Sequence, residues 1–238
     1  MSAGEVEIRV AGDAEAAARV VAERLAEQAR AGGHVALTGG STPRRAYELA
    51  AQLEPNWGRV ELWWGDERCV PPDDERSNYR MAKAALLDRL AVEPAAVHRM
   101  RGELGKDGGA TAYERELAPL AAFDLVLLGL GPDGHVASLY PRQPTLDETE
   151  RRVVGAEAHL DPYVDRITLT LPALRAAREV LFLVAGADKA DAVARALAGE
   201  PSRETPGSLV RAELGPTRAV LDRAAASRLS YGLSERET

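Results

Sequence analysis

Cysteine is nearly absent from this chain of 238 residues. Cys69 stands alone, which excludes an internal disulfide and a multi-cysteine metal site and suits a reducing compartment. Excess positive charge is missing too. A formal net charge of −7 gives no long-range attraction for nucleic acid or an acidic membrane, so an anionic ligand must meet a locally cationic pocket. No apolar run approaches the roughly twenty residues that span a bilayer, and the opening MSAGEVEIRV lacks the charged-then-apolar layout of a signal peptide. These absences predict a cytoplasmic protein with no nucleic-acid, membrane or obligate protein partner. Repeats and low-complexity linkers are also absent, and a composition of 45% hydrophobic and 28% charged residues supplies the core of one domain over residues 1–238.

What the chain does have is a sharp transition at FDLVLLGLGPDGHVASLYP, Phe123 to Pro141. Phe123, Leu125, Val126, Leu127, Leu128 and Leu130 form too short and too continuous an apolar run for an amphipathic helix. They predict a strand buried on both faces of a parallel sheet. Ligands of open α/β sheets bind beyond the carboxyl ends of strands, where this strand delivers Gly129, Gly131, Asp133, Gly134 and His135. The three glycines also spell G-x-G-x-x-G, the dinucleotide-binding pattern. Against that reading, Pro141 and Pro144 cut off a crossover helix, and the strand predicted over Val153–Ala158 offers only Glu157 as a ribose-binding acid. A histidine in a glycine turn at a strand end is better placed for chemistry than for core packing.

Other strand exits repeat the arrangement. A strand over Glu5–Val10 and a helix capped by Asp13 and running to about Arg30 precede a strand over His34–Thr38. That strand leaves through Gly39, Gly40, Ser41, Thr42 and Pro43, with Thr42 placed to cap a helix and Pro43 at its first position. Unpaired N–H groups at a helix start, close approach over glycine and two hydroxyls make an anion cradle, and without a P-loop lysine it does not suit a nucleoside triphosphate. The strand over Val60–Trp64 exits into a loop through Gly65, Asp66, Glu67 and Arg68. Ser77 then caps a helix from Asn78 to about Leu90. Cys69 has no neighbouring base and is not a nucleophile. Further strands are predicted over Val97–Met100, Arg166–Leu171, Glu179–Ala185 and Arg218–Leu221, a helix over Lys106–Leu120, and a frayed tail from Ser227. Lys189 begins a helix, where a cation opposes the macrodipole unless an anion lies between them. Strands alternating with helices predict a doubly wound, mostly parallel α/β sheet with helices on both faces and its ligand loops along one edge.

Assembled, these residues resemble the 6-phosphogluconolactonase family, which opens 6-phospho-D-glucono-1,5-lactone to 6-phosphogluconate in the pentose phosphate pathway. The resemblance runs in order through LTGGSTP, GDERCVPPDDERSNYRMA, GLGPDGHVASLYP, RITLTLP and VAGADKADAV. It implies the fold shared with glucosamine-6-phosphate deaminases and ribose-5-phosphate isomerases, a sugar-phosphate substrate, and neither metal nor organic cofactor. It implies His135 as the catalytic histidine, with Asp66 and Arg68 beside it. Gly39, Gly40, Ser41 and Thr42 then form the phosphate-side loop, Asn78, Gly131, Asp133 and Gly134 line the substrate site, and Arg166 and Lys189 are cations for the sugar phosphate. The family often has a tryptophan before a final VLDRAA-like stretch, whereas this chain has Thr217 and Arg218.

The chemistry that follows uses one histidine twice. Neutral imidazole takes a proton from water and returns it to the leaving ring oxygen, Asp66 orients groups around the water or a sugar hydroxyl, and Arg68 with the turn's backbone N–H groups serves the oxyanion unless Arg68 instead meets phosphate. Three alternatives remain: a sugar-phosphate deaminase with Asp66 as base, a non-catalytic sugar-phosphate sensor, and a dinucleotide-dependent oxidoreductase. Related sugar deaminases carry tyrosine where Arg68 stands and an asparagine-glutamate-proline run near Ser138–Pro141. A sensor would be expected to have replaced His135 or Asp66.

Overall fold

The computed structural model describes residues 5–159 and 161–229. Seven parallel strands form the main sheet in the order β1 (Val6–Ala11), β10 (Thr217–Asp222), β9 (Val180–Val184), β6 (Leu125–Leu128), β2 (Gly33–Leu37), β3 (Val60–Trp64) and β5 (Ala96–Val97). The central strands carry apolar side chains on both faces because both are covered. All four residues of β6 and all five of β9 are buried. Helices α1 (Ala14–Ala31) and α2 (Ser41–Leu53) lie against each other, whereas α4 (Gly105–Leu117) packs with β7 (Val153–Ala156) and β8 (Arg166–Leu169). From β2 the chain builds outward through β3 to β5, then returns to place β6 on the other side of β2 and builds toward β9 and β10. The switch point of this doubly wound sheet therefore lies between β2 and β6, where such sheets open a crevice at their carboxyl edge.

A second sheet departs from the sequence expectation. Asp66–Arg68, expected as loop, is strand β4, and it pairs antiparallel with β8, which pairs antiparallel with β7. The β8 strand stops at Leu169 because Pro172 opens a short helix, α5 (Leu171–Arg175), two residues earlier than the expected end of the strand.

Asp13 caps α1 as expected, accepting from Ala16 N–H at 2.8 Å. The cap of α2 is Gly40, at φ 110°, not Thr42; Ser41 opens the helix and Pro43 is its third residue. Both hydroxyls are consequently free of capping duty. Ser77 caps α3 (Asn78–Ala85), which ends short of the expected Leu90 and passes into a 3-10 turn over Leu87–Arg89. The expected strand over Val97–Met100 is only Ala96–Val97. The segment after β9 winds as a 3-10 turn, helix α6 (Ala190–Val193) and a π-helical turn. The predicted tail beyond Leu229 lies outside the described residues.

Candidate active site

Because β9, β6, β2 and β3 are adjacent and parallel, the segments leaving them share one edge of the sheet. Those segments hold Gly186–Lys189, Gly129–His135, Gly39–Thr42 and Gly65–Arg68. The fold thus brings to one rim the stretches that the sequence marked separately.

At the end of β6 the chain closes a tight turn. Gly131 N–H donates to His135 O and Gly134 N–H to Gly131 O, both at 2.9 Å, and Gly207 N–H secures Gly134 O from outside at 2.9 Å. A Cβ on Gly131 would lie 2.1 Å from His135 Nδ1 and 2.6 Å from Asp133 Oδ1. Glycine is therefore what lets the imidazole rest on the turn's backbone. Asp133 Oδ1 lies 2.6 Å from His135 Nδ1 and also accepts His135 N–H at 3.1 Å. Burial works to raise the Asp133 carboxyl, but the hydrogen bond and charge of His135 outweigh it and hold that carboxyl below its ordinary value. With Nδ1 facing Asp133, a neutral His135 that donates to this carboxylate carries its lone pair on Nε2.

Asp66 is buried and both its oxygens are engaged. Ser138 Oγ donates to Oδ2 at 2.6 Å and Asn78 Nδ2 to Oδ1 at 3.1 Å, while the same Asn78 amide donates to Asp66 O at 2.9 Å. Gly39 presses on Asn78, since a Cβ there would fall 1.9 Å from its Oδ1. Thr168, register partner of Asp66, accepts Ser138 N–H at 3.1 Å. Side-chain contact thus links Gly39, Asn78, Asp66 and Ser138, ending three residues from His135. To place Ser138 there the backbone enters the left-handed region at Ala137, φ 48°, a conformation unusual for a residue other than glycine.

Arg68 and Arg166 are register partners on β4 and β8 and so emerge on the same face. Arg166 is buried, and its guanidinium donates to Val164 O and Pro162 O at 3.1 Å. Arg68 donates through one terminal nitrogen to Arg76 O, but its buried Nε has no partner among the described residues. Lys189 is half-buried beside Asp188 at 3.4 Å, its backbone N–H donates to Gly186 O at 3.1 Å, and among the described residues its ammonium meets no other carboxylate. Glu67 turns away and receives Ser77 Oγ and the N–H groups of Arg68, Asn78 and Tyr79 at 2.7–2.9 Å. Burial pushes the Cys69 thiol up to about 11, in keeping with its dismissal as a nucleophile.

Several neighbours were not singled out in the sequence. Ser138 and Tyr140 lie inside the informative GHVASLYP run, so position alone marked them. Thr205 has no local signal and meets the site only because a Cβ on Gly134 would fall 2.7 Å from its Cγ2. Two cavities, of about 470 and 490 Å³, are lined by none of the predicted site residues; one runs along β1, β10 and α1, the other at the sheet's amino edge near His34 and His98. Among the described residues no group of three or more His, Cys, Asp or Glu side chains is placed to hold a metal ion, and no helix is long and apolar enough to cross a membrane.

A parallel α/β sheet whose switch-point turns present a histidine–carboxylate pair, a buried aspartate and an arginine with an Nε left without a partner among the described residues has the arrangement of a small-molecule enzyme. Residues 11–219 match the family described as glucosamine-6-phosphate isomerases/6-phosphogluconolactonase, and the chain belongs to it. It is 43% identical over 240 residues to the 6-phosphogluconolactonase of Streptomyces coelicolor, covering 92% of this chain and 90% of that one. The crystal structure of 6-phosphogluconolactonase from Thermotoga maritima superposes with a TM-score of 0.80 at 30% identity, over 91% of this chain and 100% of that one. A monomeric glucosamine-6-phosphate deaminase superposes with a TM-score of 0.83 at 19% identity, over 94% of this chain and 100% of the deaminase, a likeness of fold alone.

Proposed function

We propose that this protein hydrolyses 6-phospho-D-glucono-1,5-lactone to 6-phospho-D-gluconate in the pentose phosphate pathway, with His135 as general base. The observation that carries the base assignment is the 2.6 Å contact between His135 Nδ1 and Asp133, which leaves Nε2 for the reaction. Nε2 takes a proton from water as the water oxygen bonds to the lactone carbonyl carbon. When the bond from that carbon to the ring oxygen breaks, the same nitrogen returns the proton to the departing oxygen. The new carboxylic acid loses its proton to solvent. Family membership and the curated relative support the substrate; a cytoplasmic location belongs to the same reading.

The negative charge on the former carbonyl oxygen needs a donor. The N–H groups of Gly131, Gly134 and His135 are spent within the turn, so we assign that role to Arg68, whose guanidinium gives only one terminal nitrogen to Arg76 O. The phosphate is assigned to the start of α2 at Gly39, Gly40, Ser41 and Thr42, with Lys189 and Arg166 supplying positive charge. Asp66, Asn78, Gly131, Asp133 and Gly134 complete the walls. With both oxygens of Asp66 engaged by Ser138 and Asn78, Asp66 is poorly free to serve as a deaminase base.

The test is hydrolysis of freshly prepared lactone, coupled to NADP reduction by 6-phosphogluconate dehydrogenase and corrected for spontaneous opening. Wild-type protein is expected to exceed the background rate strongly, and His135→Asn to lose at least a hundredfold of that excess. A folded wild type no faster than background overturns the lactonase reading and directs attention to ammonia release from glucosamine 6-phosphate. Turnover retained by His135→Asn overturns the base assignment alone. For the anion roles, Arg68→Gln is expected to lower kcat with KM little changed, and Lys189→Ala to raise KM with kcat little changed.

A further inference from the structure

The histidine–carboxylate pair is only part of what surrounds His135. The Tyr140 ring lies with its centroid 5.1 Å from that of His135, tilted by 53°. Tyr140 is buried, with 3% of its surface exposed, so its position is set by packing. A second histidine meets the same ring: His159, on the segment joining β7 to β8, has its centroid 5.1 Å from Tyr140 with a tilt of 36°. His159 is exposed and has no part in the chemistry described above.

We propose that Tyr140 is a positioning residue for His135, supporting the imidazolium that forms when water gives up its proton, and that His159 opposes this support when it is itself protonated. The proposal rests on His135 as the general base. An aromatic ring attracts a cation that lies toward its face within about 6 Å of the centroid, and the His135 ring, tilted by 53° to Tyr140, is within that distance. Asp133 fixes the ring through Nδ1, and Tyr140 bears on it from another element of the turn. Among the described residues, Asp133 faces His135 at 2.6 Å and His159 faces Tyr140, while the charged groups behind the turn are Asp66, held by Ser138, and Arg195, which donates to the Thr205 hydroxyl packed beside Gly134. His159 introduces a second cation at the same aromatic ring. Charging it draws on that ring and repels the imidazolium.

Two substitutions should move the acid limb of kcat/KM in opposite directions. That limb reports protonation of the base in the free enzyme; the substrate phosphate titrates nearby but is common to every variant. Tyr140→Leu removes support for the cation, so the limb is expected to move about half a unit to lower pH, while kcat falls roughly threefold with KM within about twofold. Tyr140→Phe keeps the ring and is expected to restore both. His159→Gln removes the competing cation and is expected to move the limb to higher pH. An unmoved limb in folded Tyr140→Leu overturns the proposal, and so does a Tyr140→Phe protein as impaired as Tyr140→Leu. Should Tyr140→Leu not fold, an unmoved or acid-shifted limb in His159→Gln overturns it instead. Failure of the base assignment is separate, because it is read from His135→Asn.

Discussion

At the scale of single residues, the site depends on atoms that are not there. Gly131→Ala would drive a methyl into the His135 ring and the Asp133 carboxylate, both closer than 3 Å to the ideal Cβ position. Since the strand behind it is unaffected, the expected result is a folded protein whose turnover drops at least tenfold, checked by comparing circular dichroism with lactone hydrolysis. Gly39→Ala makes the same point one contact further away, by displacing the Asn78 amide from Asp66. Cys69 supplies the contrasting case. Its thiol, raised by burial to about 11, is protonated at neutral pH, so Cys69→Ser should hydrolyse the lactone at close to the wild-type rate. The sequence made Gly131 and His135 visible together through their spacing after an apolar run. It did not show that His135 would lie on Gly131 or pair with Asp133, because that depends on how the turn closes.

Among the elements, β4 was the least legible. The run Asp66-Glu67-Arg68 is charged throughout and looks like loop, but its partner β8 lies far along the chain, and local propensity gives no sign of such a pairing. Pairing explains what those charges do. Alternate residues face opposite ways, so Asp66 and Arg68 face the β8 partners Thr168 and Arg166 on one side while Glu67 points to the other, toward the start of α3. Burial raises the Glu67 carboxyl above its ordinary value, while N–H groups of Tyr79, Asn78 and Arg68 and the Ser77 hydroxyl pull the other way. Every one of these partners donates, so a side chain that accepts with both ends is needed. Glu67→Gln would set an amide N–H against backbone N–H groups, with a loss of about 1–3 kcal/mol expected in urea unfolding. As Asn78 opens α3 and holds Asp66, the variant should also lose turnover. An unchanged urea midpoint would show that the helix start does not need this carboxylate. The cap at α2 departs from expectation for a related reason: hydroxyls at Ser41 and Thr42 favour capping in general, but Gly40, already at positive φ, takes the cap position.

For the whole molecule, alternation of strands and helices was enough to predict a doubly wound sheet, because buried parallel strands require that pattern. Strand order was not readable, and strand order is what brings the scattered motifs to one edge of the sheet. The rim joins pieces held by different parts of the fold: the β2 and β6 turns belong to the main sheet, Asp66, Arg68 and Arg166 to the small one, and Lys189 to the segment after β9. A ligand that spans them should stabilise the native state as a whole, provided it carries both the sugar acid and the phosphate. At a concentration one hundred times its Kd, such a ligand adds about 2.7 kcal/mol to the unfolding free energy. For a chain of this length that corresponds to a rise in Tm of roughly 5 °C. The product 6-phosphogluconate is expected to give this shift in a thermal scan, whereas gluconate or inorganic phosphate, each reaching only part of the rim, should give less at equal concentration. Lys189→Ala should cut the 6-phosphogluconate shift while leaving the unliganded Tm nearly unchanged, because Lys189 contributes little to the fold beyond its contact with Asp188. Equal shifts from phosphate alone and from 6-phosphogluconate would mean that the rim is a phosphate site only, and that the sugar is not held by the two sheets together.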